Sequence, residues 1–431
     1  MKYILKILFL IFFISTSFSL HAQGPQWIVY NTGNSGLPSN GVNEIAIDTN
    51  SIKWIGTGDK GLVKFDGNNW TVFDTVNSSI HSNNIYTIQV DKENNIWVGS
   101  RNGLPGGISK FDGTNWTNYN PQNSGIPSAL VLDMDFDSKE NLWVATPQGL
   151  GKFNGTDWVV YRDTNSGLPG NFIMSVEVSD SIVWVATQSN GIVKFDGINW
   201  TVYNTQNSGL PSNVNSPDCI SLDSNNVKWI GTFGGGVAKF DDINWTIYNP
   251  TNSGLPYWYI TSIFAEKNNK ILMSAENRGL TIFDADTTWA TFNTGNSPLP
   301  DNYILDLTTD RYKNLWISTL TGGIVVYNVN GVVSINNFFT EVPSDFSLNQ
   351  SYPNPFNPIT VIKYFVPSKS NIKINVYDNS GRLIQTLVKD FKLEGEFEVI
   401  FNGKNFSSGI YYYSMYVNVQ IKKKKKMVLL K

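Results

Sequence analysis

The stretch SNGVNEIAIDTNSIKWIGTGDKGLVKFDGNNWTVFD, residues 39–74, holds four short runs rich in β-branched and aromatic residues. VNEIAID, IKWIGT, GLVKFDG and WTVFD are each bounded by Gly, Asn or Asp, as strands and their turns alternate. Asp66-Gly67, followed by two polar residues and Trp70, has the chemistry of a tight hairpin. No apolar period of helical length runs through it, so the stretch reads as a four-stranded antiparallel meander.

The meander recurs. Trp27, Trp70, Trp116, Trp158, Trp200, Trp245 and Trp289 are spaced 43, 46, 42, 42, 45 and 44 residues apart. A second series, Trp54, Trp97, Trp143, Trp184, Trp229 and Trp316, falls between them, with Leu272 in the sixth place. Of 14 tryptophans, only Trp258 lies outside the two series. Asp48, Asp91, Asp137, Asp223 and Asp310 each precede a second-series Trp by six residues, with Asn or Ser between, as a hairpin turn prefers. Seven such units predict an all-β fold, a seven-bladed β-propeller. A blade with two apolar faces cannot bury itself alone. Radial stacking lets its aromatics, each worth about 150–250 Å² of burial, pack on the next blade.

The heptapeptide NSGLPSN stands at 34–40 and again at 207–213; variants start at Asn77, Asn123, Asn165, Asn252 and Asn296. Its place predicts the joint between one blade's outer strand and the next blade's first. Gly36 is expected to supply a positive φ, Pro38 to fix its own φ and restrain Leu37, and Leu37 to plug the gap between blades. Asn and Ser are expected to tie down local backbone groups. Residues 27–30 read as an outer strand without partners, and the last unit lacks a Trp-marked outer strand. Pairing first with last would close the ring; GVVSIN, residues 331–336, competes for that slot.

Residues 1–22 read as an export signal: Lys2 and Lys6, an apolar run over 7–14, then a Ser-rich stretch with Ala22 before the cleavage point. The run falls short of the roughly 20 residues of a membrane-spanning helix, and no cysteine follows it to carry a lipid. Cys219 is the one cysteine and reads as a small buried filler, so the fold is held by its core. Residues 23–342 hold 17 Lys+Arg against 29 Asp+Glu, and residues 343–431 hold 13 against 6. The acidic body excludes nucleic acid as a partner, and the charge shift marks a boundary. The expected organisation is signal 1–22, propeller 23–340, linker 341–350 and a second domain, 351–431.

Units such as SNNIYTIQVDKENNIWVGS resemble the two-component regulator propeller repeat, found in periplasmic sensing halves of hybrid sensor kinases and in free-standing exported proteins. Without a transmembrane helix after the propeller, the free-standing form is expected. SLNQSYPNPFNPITVIKYFVP, INVYDNSGRLIQTLV, SSGIYYYSMYV and KKMVLLK resemble the type A C-terminal sorting domain of type IX secretion. The match lies on Pro353, Asn354, Pro355, Phe356, Asn357 and Pro358, with Gly381, Gly409, Tyr411 and Lys431. That resemblance implies an address read by the type IX secretion machinery and a secreted or outer-surface location. Alternation of Ile372, Ile374 and Val376 with polar residues reads as a small Ig-like β-sandwich. Lys422 to Lys426 read as a solvated basic tail.

Propellers bind ligands at a channel mouth, where loops vary on a fixed frame. The loops between second and third strands (GDKG, RNGLPGG, PQG, QSNG, FGGG, ENRG, LTGG) differ from blade to blade. Trp258 with Tyr257, Phe233, Arg101, Glu276 and Arg278 could form an aromatic and charged patch for a glycan or peptide. Catalytic constellations are missing: Arg162 and Arg311 fall away from that mouth, so no arginine triad forms, and His81 has no partner for base chemistry. No metal ligand cluster and no cofactor motif occurs. The expected role is non-enzymatic ligand binding; the alternative is a polysaccharide-cleaving propeller using Tyr or carboxylates.

Overall fold

The computed structural model describes residues 26–430 apart from 102–105, 214, 267–269, 285–287, 332–345, 352, 368, 393–394 and 419. The signal segment, Lys431 and most of GVVSIN lie outside the described residues. The chain divides into two compact units, Met1–Val333 and Ser334–Lys431.

The first unit contains seven four-stranded antiparallel sheets. Blades one to six run over residues 42–73, 85–119, 133–161, 173–203, 215–248 and 260–292. Blade seven takes Ile304–Thr309, Leu315–Thr319 and Ile324–Tyr327 and completes itself with Trp27–Tyr30, in the register Trp27↔Tyr327 to Tyr30↔Ile324. The first strands touch in cyclic order, the seventh returning to the first. The ring is therefore closed by its N-terminal strand.

Five of the seven second strands are buried along their whole length, as in KWIGT or LWVAT, and the other two at all but their first residue. A strand covered on both faces needs a continuous apolar run rather than alternation. The core is accordingly a set of seams: Trp143 and Leu150 of blade three pack with Ile173, Val185 and Phe195 of blade four. Within a blade the outer-strand Trp stacks on the third-strand Phe, as Phe65–Trp70 at 4.0 Å and Phe195–Trp200 at 4.1 Å. Across a seam the second-strand Trp meets the next blade's Phe edge-on, as Trp184–Phe240 at 6.2 Å. Leu272, in the place of a Trp, is buried in the seam with blade seven.

The Asp six residues before five of the second-strand tryptophans does more than turn the chain. One oxygen accepts backbone N–H groups of the hairpin, and the other accepts the indole N–H, at 2.9 Å for Trp97–Asp91 and 3.0 Å for Trp316–Asp310. A lysine covers several of these indoles. Lys53, fully buried between blades seven and one, lies 4.8 Å over Trp316 and 3.8 Å from Asp310; burial pulls its ammonium down to about 8.

The joint loop does as expected with three of its residue types. Asn34 accepts from Asn31 N and donates to Val29 O, Ser35 Oγ donates to Asn31 O, and the pattern repeats at Asn207 and Ser208. Leu37 and Leu210 are buried at the seams. Gly36 corrects the expectation: it is not among the residues with positive φ. A Cβ there would lie 2.5 Å from Trp70 Cβ, and at Gly209 2.4 Å from Trp245 Cβ. The glycine makes room for the tryptophan of the blade that follows. Gly209→Ala should therefore destabilise the propeller by about 1–3 kcal/mol through overpacking. Gly209→Asn, which a left-handed backbone would accept, should be no better in chemical denaturation; a neutral Asn variant would restore the φ explanation.

In the second unit, Ser347–Leu348, Ile359–Val366 and Gly395–Asn402 form one sheet, and Leu383–Lys392, Ser370–Tyr377, Gly409–Val417 and Gln420–Leu429 the other. Ile372, Ile374, Val376, Tyr413, Met415 and Phe401 fill the space between them. Phe356, 2% exposed, meets Phe401 at 5.8 Å, and its backbone bridges to Leu429 in parallel, so the Pro-Asn-Pro segment lies along a sheet edge. Asn354 and Asn357 each precede a cis proline. Asn354 Oδ1 accepts from Val428 N at 2.8 Å, Gly381 turns the chain at φ 81°, and Tyr411 OH donates to Ser407 O. Lys422 to Lys426 are exposed but do not form a tail. They continue the strand whose Met427 and Leu429 are buried, Lys423 to Lys426 pairing with Met415 back to Tyr412. Charge along an edge strand deters pairing with other edges.

Candidate functional site

Two cavities open on the propeller's channel. The axial one, about 260 Å³, is lined by first-strand or loop residues of every blade: Asn43 and Glu44, Tyr86 and Arg101, Asp133, Met174, Phe233, Thr261, and Tyr303 with Asp306. The rim cavity, about 430 Å³, lies between blades six and seven on Tyr257, Glu276, Arg278, Asp301, Tyr303 and Thr321. Tyr303 lines both.

The expected patch is thus distributed. Arg101 and Phe233 belong to the axial cavity, and Tyr257, Glu276 and Arg278 to the rim. Trp258 lines neither; its carbonyl accepts from Gly234 N at 3.2 Å and Gly236 N at 2.9 Å, holding the FGGG loop in place. That anchorage sets Phe233 against Tyr259, ring centroids 4.2 Å apart and nearly parallel, and Tyr257 stands edge-on to Tyr259 at 5.2 Å. Phe233 keeps 39% of its surface exposed. Both arginines rest on tyrosine faces, Arg278 at 4.9 Å over Tyr257 and Arg101 at 4.6 Å over Tyr86. Such stacking holds a guanidinium plane while leaving its edge donors open. Asp301 is fixed by Thr321, whose N and Oγ1 both donate to Oδ2.

The channel carboxylates that the alternative reading invokes without naming are Glu44, Asp133 and Asp306. Burial pushes the Asp133 carboxyl up to about 6 and Asp306 up to about 7, against the N–H donors that favour the ionised form. Burial first, then Glu276, raises the Tyr303 phenol. The available signal was an acidic residue inside a first strand, as in VNEIAI, DMDF and ILDLTT, because those strands face the axis. Arg162 corrects the expectation that it falls away from the mouth, since it donates to Gln148 O of the PQG loop; Arg311 stacks on Tyr312, and His81 Nδ1 contacts Gly106 O. Among the described residues no group of His, Cys, Asp and Glu is arranged to hold a metal, and no helix is long and apolar enough to cross a membrane.

Residues 79–102 and 298–321 match the family model of the two component regulator propeller, and residues 350–430 that of the secretion system C-terminal sorting domain. No curated protein matches the chain. The fold is similar to the extracellular domain of a hybrid two component system from B. thetaiotaomicron, at 17% identity and TM-score 0.60, covering 94% of this chain and 57% of that one. It is similar to PorZ, an essential surface component of the type-IX secretion system of Porphyromonas gingivalis, at 18% identity and TM-score 0.55, covering 93% and 61%. YCF48 from Cyanidioschyzon merolae matches at 14% identity and TM-score 0.51, covering 70% of this chain and 99% of that one. The chain spans about three fifths of the length of the first two. At these identities the likeness is one of fold. Beside it stand the family matches: two segments of the propeller match the two component regulator propeller model, and residues 350–430 match the secretion system C-terminal sorting domain, which marks the protein as secreted or held at the outer cell surface.

Proposed function

We propose that this is an exported binding propeller without catalytic chemistry of its own, which presents its channel mouth to a glycan or peptide. The signal 1–22 starts its export, and the domain at 351–431 hands it to the type IX machinery. The observation that carries the reading is a tyrosine-backed arginine at each of two cavities that share Tyr303, Arg101 in the axial cavity with the exposed Phe233 and Arg278 in the rim cavity. Flat aromatic faces suit sugar rings or peptide side chains, and planar guanidinium edges suit carbonyl and carboxylate oxygens. A peptide-bound propeller of related fold, YCF48 with the D1 peptide, is consistent with this. The competing view, a polysaccharide-cleaving enzyme, would rest on the raised Asp133 and Asp306 carboxyls.

The test is a glycan and peptide array probed with the mature chain, repeated with Phe233→Ala, Tyr257→Ala and Arg278→Ala. Each substitution should weaken binding of the captured ligand by about tenfold or more, as loss of an anchor residue does. Capture that survives all three would place the site elsewhere. New reducing ends or unsaturated products from a polysaccharide would replace binding with cleavage.

A further inference from the structure

The first strands of neighbouring blades belong to separate sheets, so no ladder joins them across the axis. Side chains bridge them instead. Asp306 Oδ2 accepts from Ile45 N at 2.8 Å, tying blade seven to blade one, and Glu44 accepts from Ile88 N at 3.1 Å, tying one to two. Asp133 accepts from Val176 N and Ser175 Oγ, both at 2.8 Å, and Asp135 from Val178 N at 2.6 Å, tying three to four. Glu177 accepts from the backbone of Leu222, tying four to five. Elsewhere a neutral group serves: Ser221 Oγ accepts from Ala265 N, and Thr261 Oγ1 donates to Ile304 O. A hydroxyl is enough for the bridge at those two joints, so an ionisable group at the four joints named before them adds something that bridging does not require.

We propose that the carboxyls of Asp133, Asp135, Glu177 and Asp306 make the ring a pH-responsive clamp, tight while they hold protons and loosened at its axis as they ionise together. The groups lie close enough to feel one another. Asp133 acts on Asp306 across the ring, Asp133 and Asp137 act on Asp135, and Asp135 and Asp133 act on Glu177. The other titratable or charged groups lining the axial cavity are Glu44, Tyr86, Tyr303 and Arg101, and Arg101 is the one cation among them. Three like charges facing one arginine in a poorly solvated channel repel.

Burial supports the direction. It holds Asp133 protonated to about 6 and Asp135 and Asp306 to about 7, against about 3.9 in an unfolded chain. Between those values the folded chain binds more protons than the unfolded one, so stability falls as pH rises from about 4 to about 7 and levels off beyond.

The test uses the mature full-length chain. Every tryptophan lies within residues 27–316, so indole emission follows the propeller alone. Its unfolding temperature should drop by about 5 °C or more between pH 4.5 and 7.5. Asp133→Asn with Asp306→Asn, which keep a carbonyl acceptor but cannot ionise, should flatten that slope and raise the value at pH 7.5. An unchanged slope in the double variant, or wild-type stability that rises over this range, overturns the clamp. Should the variant not fold, Cys219 serves in the wild type: this single thiol is buried in the seam of blades four and five. Its reaction with a dipyridyl disulfide, scaled to the rate of the denatured chain at each pH, should be faster at pH 7.5 than at pH 5. Equal protection at both overturns the proposal.

Discussion

A chain lacking Trp27–Tyr30 is expected to lose its cooperative propeller transition and to aggregate. The four-residue strand is the outer strand of blade seven, and its side chains serve two seams. Trp27 packs on Tyr327 at 4.3 Å and Phe292 at 5.4 Å, toward blade six. Tyr30 packs on Phe65, Trp70 and Trp316, toward blade one. Removing either large aromatic costs about 3–5 kcal/mol, against about 5–15 kcal/mol for a whole domain. Deletion also bares the edge of Ile324–Tyr327, an invitation to strand pairing between molecules. Tyr30→Ala is the milder version and should lower stability by about 3–5 kcal/mol while leaving a ring. Denaturant titration by indole emission, with size-exclusion chromatography, measures both. A deletion variant that stays monomeric and melts normally would mean that another segment, residues 331–336 by position, can take the slot.

The fold was legible because its energetics repeat. Each seam needs one large flat side chain from either blade, and the two tryptophan series at a 41- to 46-residue spacing, with Leu272 in one place, are that requirement written out. Details that depend on direction were not legible. A glycine needed for its φ and one needed for a neighbour's Cβ look alike, and Trp70 lies too far along the chain to be recognised as the neighbour of Gly36. Asp91 reads as a turn residue because Asn94 and Asn95 follow it; its second bond, to the Trp97 indole, follows only once the hairpin is folded. The lysine run reads as a tail because five like charges rarely occupy a strand, yet the burial of Met427 and Leu429 carries it into one. At the mouth, Tyr257, Trp258 and Tyr259 stand out by composition. Which of the three faces a cavity is set by the bond of the Trp258 carbonyl to the glycine loop. The channel acids sit on short strands in which alternation cannot say which neighbouring N–H they will meet.

Deletion of residues 351–431 is expected to abolish appearance outside the outer membrane while leaving the propeller transition in place. The two units have separate cores, and the tryptophans that report folding all lie in the first. A sorting unit must be presented folded if its shape is what is read, so a point variant should imitate the deletion. Phe356 is the sensitive position: it is buried against Phe401, and its backbone N donates to Val428 O at 2.9 Å. Phe356→Ala should cost the second unit about 3–5 kcal/mol, a loss a small sandwich of this size is poorly placed to absorb. Cell fractionation should find both variants in the periplasm with native indole emission, and Lys423→Gln with Lys425→Gln, on exposed positions, should be exported as the parent is. Surface display of the deleted chain would separate this domain from export, and loss of display in the lysine variant alone would make charge along the edge strand, rather than fold, the feature that is read.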